Sequence, residues 1–202
     1  MKKENHFDYI ICGGGASGLL LAFRICNDPF FADKSILLIE KENKNLNDRT
    51  WCFWESNEGD LQEIIHKTWN QSFFASKDFR LDFKLNPYKY KMIRSLDFYK
   101  FMHQRLKMFN QLIQVKDEVQ KIESNRVTTL GEVYSTDLIF SSILNPKKLF
   151  QQKKYPVLQQ HFFGQIIEAK NNCFDPDRIE FMNFDIPHKG NTRFMYILPL
   201  TK

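Results

Sequence analysis

The stretch Phe7-Asp8-Tyr9-Ile10-Ile11-Cys12-Gly13-Gly14-Gly15-Ala16-Ser17-Gly18-Leu19-Leu20-Leu21-Ala22-Phe23 decides the fold of this chain. Its first six residues form a short apolar run of the kind that fills a strand buried on both faces of a parallel sheet. From Ala16 to Cys26 the residues are helix formers, apolar around most of the circumference. Four of the eight glycines in the chain, Gly13, Gly14, Gly15 and Gly18, fall within six positions where those two segments join. Gly13-x-Gly15-x-x-Gly18 is the spacing of a dinucleotide-binding turn. Gly13 permits the sharp bend, Gly15 lets the backbone approach a pyrophosphate, and Gly18 lets the helix pack close to the strand. The first helical residues, Ala16 and Ser17, offer free N–H groups and the positive end of the helix dipole to the phosphates.

A second apolar strand, Ile36-Leu37-Leu38-Ile39, ends in Glu40. That places a carboxylate about 20 residues beyond the turn, the separation at which an acid accepts hydrogen bonds from an adenosine ribose. A ligand-free glycine turn with Glu40 as a surface carboxylate is the plainer alternative. The order that follows favours FAD over a nicotinamide dinucleotide. Instead of further strand–helix repeats, the chain runs through a polar and aromatic segment, a short helix near Asp60 to Trp69, and an alternating, half-buried strand from Phe79 to Leu85. An amphipathic helix starts at Ser95 and runs through Leu96, Phe98, Tyr99, Met102, Leu106 and Phe109. Strand-like pieces come at Leu112 to Val115, Val119 to Ile122, Arg126 to Leu130 and Glu132 to Tyr134, then a return strand at Leu138 to Phe140. Helix, meander and return strand is the order of FAD-binding domains, by fold analogy. Arg94, just before the helix, either contacts flavin phosphate or ribityl oxygens or plays a structural part.

Composition limits the rest. The chain has 202 residues, 43% hydrophobic and 26% charged, with a formal net charge of +5. That is enough chain for one domain and part of a second, with a real core. No run of five or more Lys/Arg marks a nucleic-acid arm, so no nucleic acid partner is expected. The four cysteines and five histidines show no metal-ligand spacing, and no metal is expected. The charged start, Met1 to His6, is followed by too short an apolar run for a signal peptide, and no apolar run is long enough to span a bilayer. A reduced, cytoplasmic protein, at most peripheral to a membrane, is the expectation.

Beyond Tyr155 the style changes to strand candidates His161 to Glu168, Ile179 to Phe184 and Phe194 to Leu198, separated by turns at Asp175-Pro176-Asp177 and Pro187-His188-Lys189-Gly190. The fold class expected is therefore α/β: a Rossmann-type FAD/NAD(P)-binding domain with inserted β segments over 1–150, and the start of an antiparallel, β-rich substrate domain over 151–202.

Asp48-Arg49-Thr50-Trp51-Cys52-Phe53-Trp54-Glu55 and Tyr90-Lys91-Met92-Ile93-Arg94-Ser95-Leu96-Asp97-Phe98-Tyr99 resemble the bacterial lycopene beta-cyclases. So do His161-Phe162-Phe163-Gly164-Gln165 and the closing Phe194 to Thr201. The resemblance covers essentially the whole chain. It implies an intramolecular lyase or isomerase of carotenoid biosynthesis that closes lycopene ends into beta-ionone rings without net redox change. It also implies reduced FAD as cofactor, NAD(P)H as its reductant, a linear carotenoid as substrate, and peripheral membrane contact. In the family the Pro-Leu segment leads into a Phe-Leu-Glu-Glu-Thr-type motif bearing a catalytic carboxylate. This chain stops at Lys202, so an N-terminal fragment is expected, with the catalytic acid beyond it. Among the acids present, Glu55 and Asp48 are catalytic candidates because they flank Trp51 and Trp54, with loop carboxylates as the alternative. The other readings are an FAD-dependent monooxygenase or prenyl reductase, and a non-catalytic nucleotide-binding or membrane-surface module.

Overall fold

A computed structural model describes residues 5–201, so the charged start at Met1 to Glu4, read above as no signal peptide, lies outside the described residues. In chain order the elements are β1 (Asn5–Cys12), α1 (Ala16–Asn27), β2 (Ile36–Glu40), β3 (Thr50–Glu55), β4 (Lys67–Trp69), β5 (Gln71–Ser76), β6 (Phe79–Lys84), β7 (Lys89–Arg94), α2 (Ser95–Leu106), β8 (Leu112–Lys116), β9 (Val119–Ile122), β10 (Arg126–Thr129), β11 (Val133–Ser141), α3 (Pro146–Gln151), β12 (Arg178–Asn183) and β13 (Met195–Ile197).

The apolar run of β1 is central because it is shielded on both faces: Ile10, Ile11 and Cys12 are buried, and parallel strands flank it on both sides. The six-stranded sheet has the order β8-β2-β1-β11-β10-β9. The Asp8 carboxylate accepts hydrogen bonds from Ser35 N–H (2.7 Å) and Ser35 Oγ (2.6 Å), which fixes the entry to β2 beside β1. The Ser35 hydroxyl holds the Asp8 carboxyl below its usual range. Helix α1 buries Leu19, Ala22, Phe23 and Cys26, and stops at Asp28 because Pro29 cannot continue it. The two pieces expected at Glu132 to Tyr134 and Leu138 to Phe140 are one strand, β11. Its first half pairs antiparallel with β10, and nearly its whole length pairs parallel with β1. The Leu112 to Val115 piece is no part of the meander, since β8 pairs parallel with β2.

The chain divides into two compact units, residues 1–46 with 98–161 and residues 47–97 with 162–202. This corrects the expected division at residue 150. The physical reason lies in the second unit, where β5 runs parallel to β12, with Gln71 opposite Arg178 and Ile179 opposite Ser72. The buried Trp69 donates its indole N–H to the Pro199 carbonyl at 2.8 Å. Segment 47–97 therefore packs Trp69, Leu85, Tyr90 and Met92 into one core with Ile179, Phe181, Tyr196 and Leu198 of 162–202. This unit has a four-stranded sheet, β13-β12-β5-β6, and a three-stranded one, β3-β7-β4. It is β-rich as expected but not wholly antiparallel.

Three local expectations differ. The helix near Asp60 to Trp69 is a single 3₁₀ turn at Gln62–Ile64 followed by β4, whose pairing with β7 places Trp69 in the core. The alternating stretch from Phe79 forms β6, but as an edge strand with all six residues exposed. His161 to Glu168 forms no strand, because alternation without a paired neighbour leaves its backbone groups to solvent.

The glycine turn sets a stability test. A Cβ on Gly18 would lie 1.9 Å from the Gly13 carbonyl oxygen, whereas one on Gly15 meets nothing within 4 Å. Gly18→Ala is expected to lower the unfolding free energy in urea by about 1–3 kcal/mol. Gly15→Ala, at a φ of −76°, stays within about 0.5 kcal/mol of the parent, since lost unfolded-state entropy offsets a weaker cap.

Candidate functional site

The turn after β1 is built from its own backbone. Gly13 N–H donates to Ile39 O at 2.8 Å and Ser142 N–H to Cys12 O at 3.0 Å, so the bend is tied to both neighbouring strands. Gly13 has a φ of +106°, and a Cβ there would strike Ser142 Oγ. Only glycine meets both conditions without strain. Gly18 brings α1 against the turn, as its spacing predicts. Gly15 is the open position, where bare main chain faces empty space and the α1 N-terminus, with Ala16 and Ser17, follows at once. No side-chain cap satisfies that helix end, so its N–H groups have the chemistry of an anion site.

Glu40 closes β2 and faces the turn: its Oε2 accepts from Gly14 N–H at 2.7 Å and its Oε1 from Glu42 N–H at 2.9 Å. Each carboxylate oxygen retains a second lone-pair direction, so capacity for ribose hydroxyls remains. An open cradle for phosphates beside an oriented carboxylate fits the ADP half of a dinucleotide. Lys44, which sequence reasoning missed, sits 3.6 Å from Glu40 Oε2 with its side chain 10% exposed. Nothing in the polar run Lys41 to Asn47 distinguishes it except its place four residues after Glu40.

In the second unit, rings collect where the two sheets meet. Trp54 and Tyr90 lie 4.6 Å apart between centroids, and Phe181 is 5.5 Å from Trp54 and 5.6 Å from Tyr196. The Tyr196 hydroxyl donates to the Tyr90 hydroxyl. Burial pushes the Tyr90 phenol up to about 12 and raises Tyr196 as well, so both stay protonated at neutral pH. Burial also raises the Cys52 thiol beside them. Trp54 is half-exposed and, with Phe83, Lys84, Leu85 and Tyr88, lines a cleft of about 340 Å³.

The two nominated carboxylates do not converge. They stand at opposite ends of β3, whose rise alone puts about 17 Å between them. Glu55 Oε2 lies 2.6 Å from Lys91 Nζ, an ammonium only 4% exposed that also donates to Asn57 O and Gln62 Oε1. It is thus one side of an ion pair closing the 55–62 loop. Asp48 accepts from Ser95 Oγ at 3.1 Å and lies 3.5 Å from Arg49 Nε, a surface turn. Neither has the dry, unpaired setting of an acid that protonates an alkene. Arg94, nominated for the cofactor, belongs to the second unit and donates to Asp97 at 2.9 Å. The ion pair is asymmetric, with Glu55 27% exposed against 4% for Lys91. Glu55→Leu, which strands the buried ammonium, is expected to cost about 3 kcal/mol in urea denaturation and Lys91→Met distinctly less.

No curated protein matches the chain by sequence. Among solved structures it is similar to PqsL, a probable FAD-dependent monooxygenase from Pseudomonas aeruginosa, at 11% identity and a TM-score of 0.53, covering 67% of this chain and 42% of that one. A tryptophan halogenase from Shewanella frigidimarina matches at 13% identity and a TM-score of 0.51, over 74% of this chain and 44% of that one. For 2-methyl-3-hydroxypyridine-5-carboxylic acid oxygenase the figures are 16%, 0.51, 68% and 38%. These likenesses show the fold, and the chain spans less than half the length of each. The family model described as lycopene cyclase protein matches residues 8–202. Since that match takes in the glycine turn, the tryptophan-bearing β3 and the closing strands of the second unit alike, the chain belongs to the lycopene cyclase family.

Proposed function

We propose that the chain is the FAD-binding part, with the beginning of the substrate-binding part, of a carotenoid-forming flavoprotein that closes the ends of lycopene or a related linear carotenoid into beta-ionone rings. The observation that carries this reading is the pairing of an open Gly15 with a Glu40 carboxylate turned onto the same turn. Family membership supplies the reaction class. The meander and return strand after α2, together with FAD-dependent enzymes among the structural neighbours, support FAD as the dinucleotide.

When bound, reduced FAD supplies an electrostatic or acid–base partner for a cyclisation that leaves its electrons in place, with NAD(P)H serving only to reduce it. The residues of the chain do the rest. The turn and the α1 N-terminus hold the pyrophosphate, and Glu40 holds the adenosine ribose. Trp54, on the cleft with Phe83 and Tyr88 and backed by Tyr90 and Phe181, offers an electron-rich face to a carbocation, which also needs water kept away lest it be trapped as an alcohol. Tyr90 and Tyr196, held protonated, bond to each other and take no proton from the cation. Protonating an alkene needs a carboxylic acid kept neutral in a dry pocket. Since Glu55 and Asp48 lack that setting, this role falls to the family's Phe-Leu-Glu-Glu-Thr-type motif. So apolar a substrate partitions into bilayers, hence a cytoplasmic protein in peripheral contact with a membrane. Among the described residues no helix is long and apolar enough to cross one.

A monooxygenase or prenyl reductase reading has the names of the structural neighbours in its favour. It requires stoichiometric NAD(P)H consumption, which a cyclisation without net redox change does not.

Two experiments test the proposal. FAD titrated into the purified chain is expected to bind, with Gly15→Ala and Glu40→Ala each weakening affinity at least about tenfold; melting without ligand is unchanged for Gly15→Ala and lowered for Glu40→Ala, which loses its bonds from Gly14 and Glu42 N–H. Absence of FAD binding by the parent chain refutes the cofactor assignment. In lycopene-accumulating cells, chromatography is expected to show beta-ring products only when the chain is supplied together with the segment carrying the glutamate motif. Products from residues 1–202 alone place the acid within this chain.

A further inference from the structure

We infer that Lys44 is a positioning residue for the adenosine ribose, fixing the Glu40 carboxylate as a ready-made acceptor for the ribose hydroxyls. The inference rests on the nucleotide reading of the glycine turn and adds to it a residue outside the fingerprint.

The first ground is proximity in a poorly solvated place. Lys44 Nζ lies 3.6 Å from Glu40 Oε2 and 2.6 Å from Glu42 Oε2. Glu42 is 56% exposed, whereas the Glu40 and Lys44 side chains are only 19% and 10% exposed. Water and salt screen the Glu42 contact much more than the Glu40 contact. The ammonium therefore acts on Glu40 more strongly than distance alone suggests.

The second ground is backbone. Lys44 has a φ of +50°, in the left-handed region that Asn tolerates much better than Lys. Its neighbours Asn43 and Asn45 would suit that conformation, yet the lysine holds it. This conformation accompanies a side chain folded back toward the end of β2. The third ground is support from α2, where the ring of Tyr99, 1% exposed, carries the ammonium at 5.7 Å from its centroid. Tyr99 cannot move without disturbing the core, so the cation is fixed on one side by a rigid ring.

The chemical consequence concerns orientation. Gly14 N–H and Glu42 N–H each hold one carboxylate oxygen by one hydrogen bond. Lys44 adds a charge on the Oε2 side, which fixes how the carboxylate meets a vicinal diol. Two parallel hydrogen bonds to a diol require both oxygens to be presented together, and a carboxylate held by the two backbone bonds alone keeps more freedom to tilt than one also drawn toward Lys44.

A cycle between side chain and ligand hydroxyl tests this. Binding of ADP and of 2′-deoxy-ADP is measured by calorimetry for the parent chain and for Lys44→Met, Lys44→Gln and Lys44→Arg. The parent is expected to prefer ADP by about tenfold, the loss that accompanies a missing hydrogen bond to a charged group. Lys44→Met and Lys44→Gln are expected to bind both ligands with nearly equal affinity, and Lys44→Arg to keep most of the preference. A loop staple that merely stabilises the fold shifts both affinities together and leaves their ratio intact, and that result overturns the inference. Melting of each variant without ligand identifies a folding defect, and the two neutral variants differ enough in packing for one to stand in for the other. A parent chain that binds neither nucleotide overturns the nucleotide reading itself, whereas a parent that prefers ADP while the neutral variants keep that preference overturns the role of Lys44 alone.

Discussion

The approach of Gly18 to the carbonyl of Gly13 is the constraint on which the first unit depends. A hydrogen is all that fits there. Because it fits, α1 starts directly over the end of β1 and its first N–H groups stand above the bend. The same bend is fixed by hydrogen bonds from Gly13 to β2 and from Ser142 to β1, so the turn is a rigid part of the sheet. A cradle for a flexible polyanion gains most from being rigid beforehand, since ordering then costs little on binding.

The second unit solves a different problem. Its sheets carry a core of Trp69, Leu85, Tyr90, Met92 and Ile179, and polar links cross it at Trp69 to Pro199 and Tyr90 to Tyr196. A buried phenol or indole needs a partner for its one donor, and here each partner lies more than 100 residues away in the chain. These bonds specify which strand packs where, a task that apolar contact alone performs loosely.

The sequence was legible where its chemistry is local. The strand, glycine bend, helix and terminal acid of the first unit depend on residues close in the chain, and each formed as its pattern predicted. Glu40 was found because its distance from the turn is set by one helix and one strand. Lys44 was not, since what makes it notable is a left-handed backbone and the ring of Tyr99 beneath it. The division into units was misread for the same reason: nothing in Gln71 to Ser76 announces that its partner is Arg178 to Asn183. The partners of Glu55 and Asp48 were not legible either, because Lys91 looks like any other strand lysine until β7 places it against the loop.

The pairing of β5 with β12 has a consequence for biosynthesis. Gln71 to Ser76 leave the ribosome about 100 residues ahead of the strand that completes their ladder, a wait of roughly 5–20 s at ordinary elongation rates. During that interval Trp69, Phe73, Phe74 and the edge of β5 are exposed in a nascent chain whose first unit is itself interrupted. Newly made chains are therefore open to chaperones, and to wrong pairing between neighbouring polysomal copies, until translation has passed Asn183.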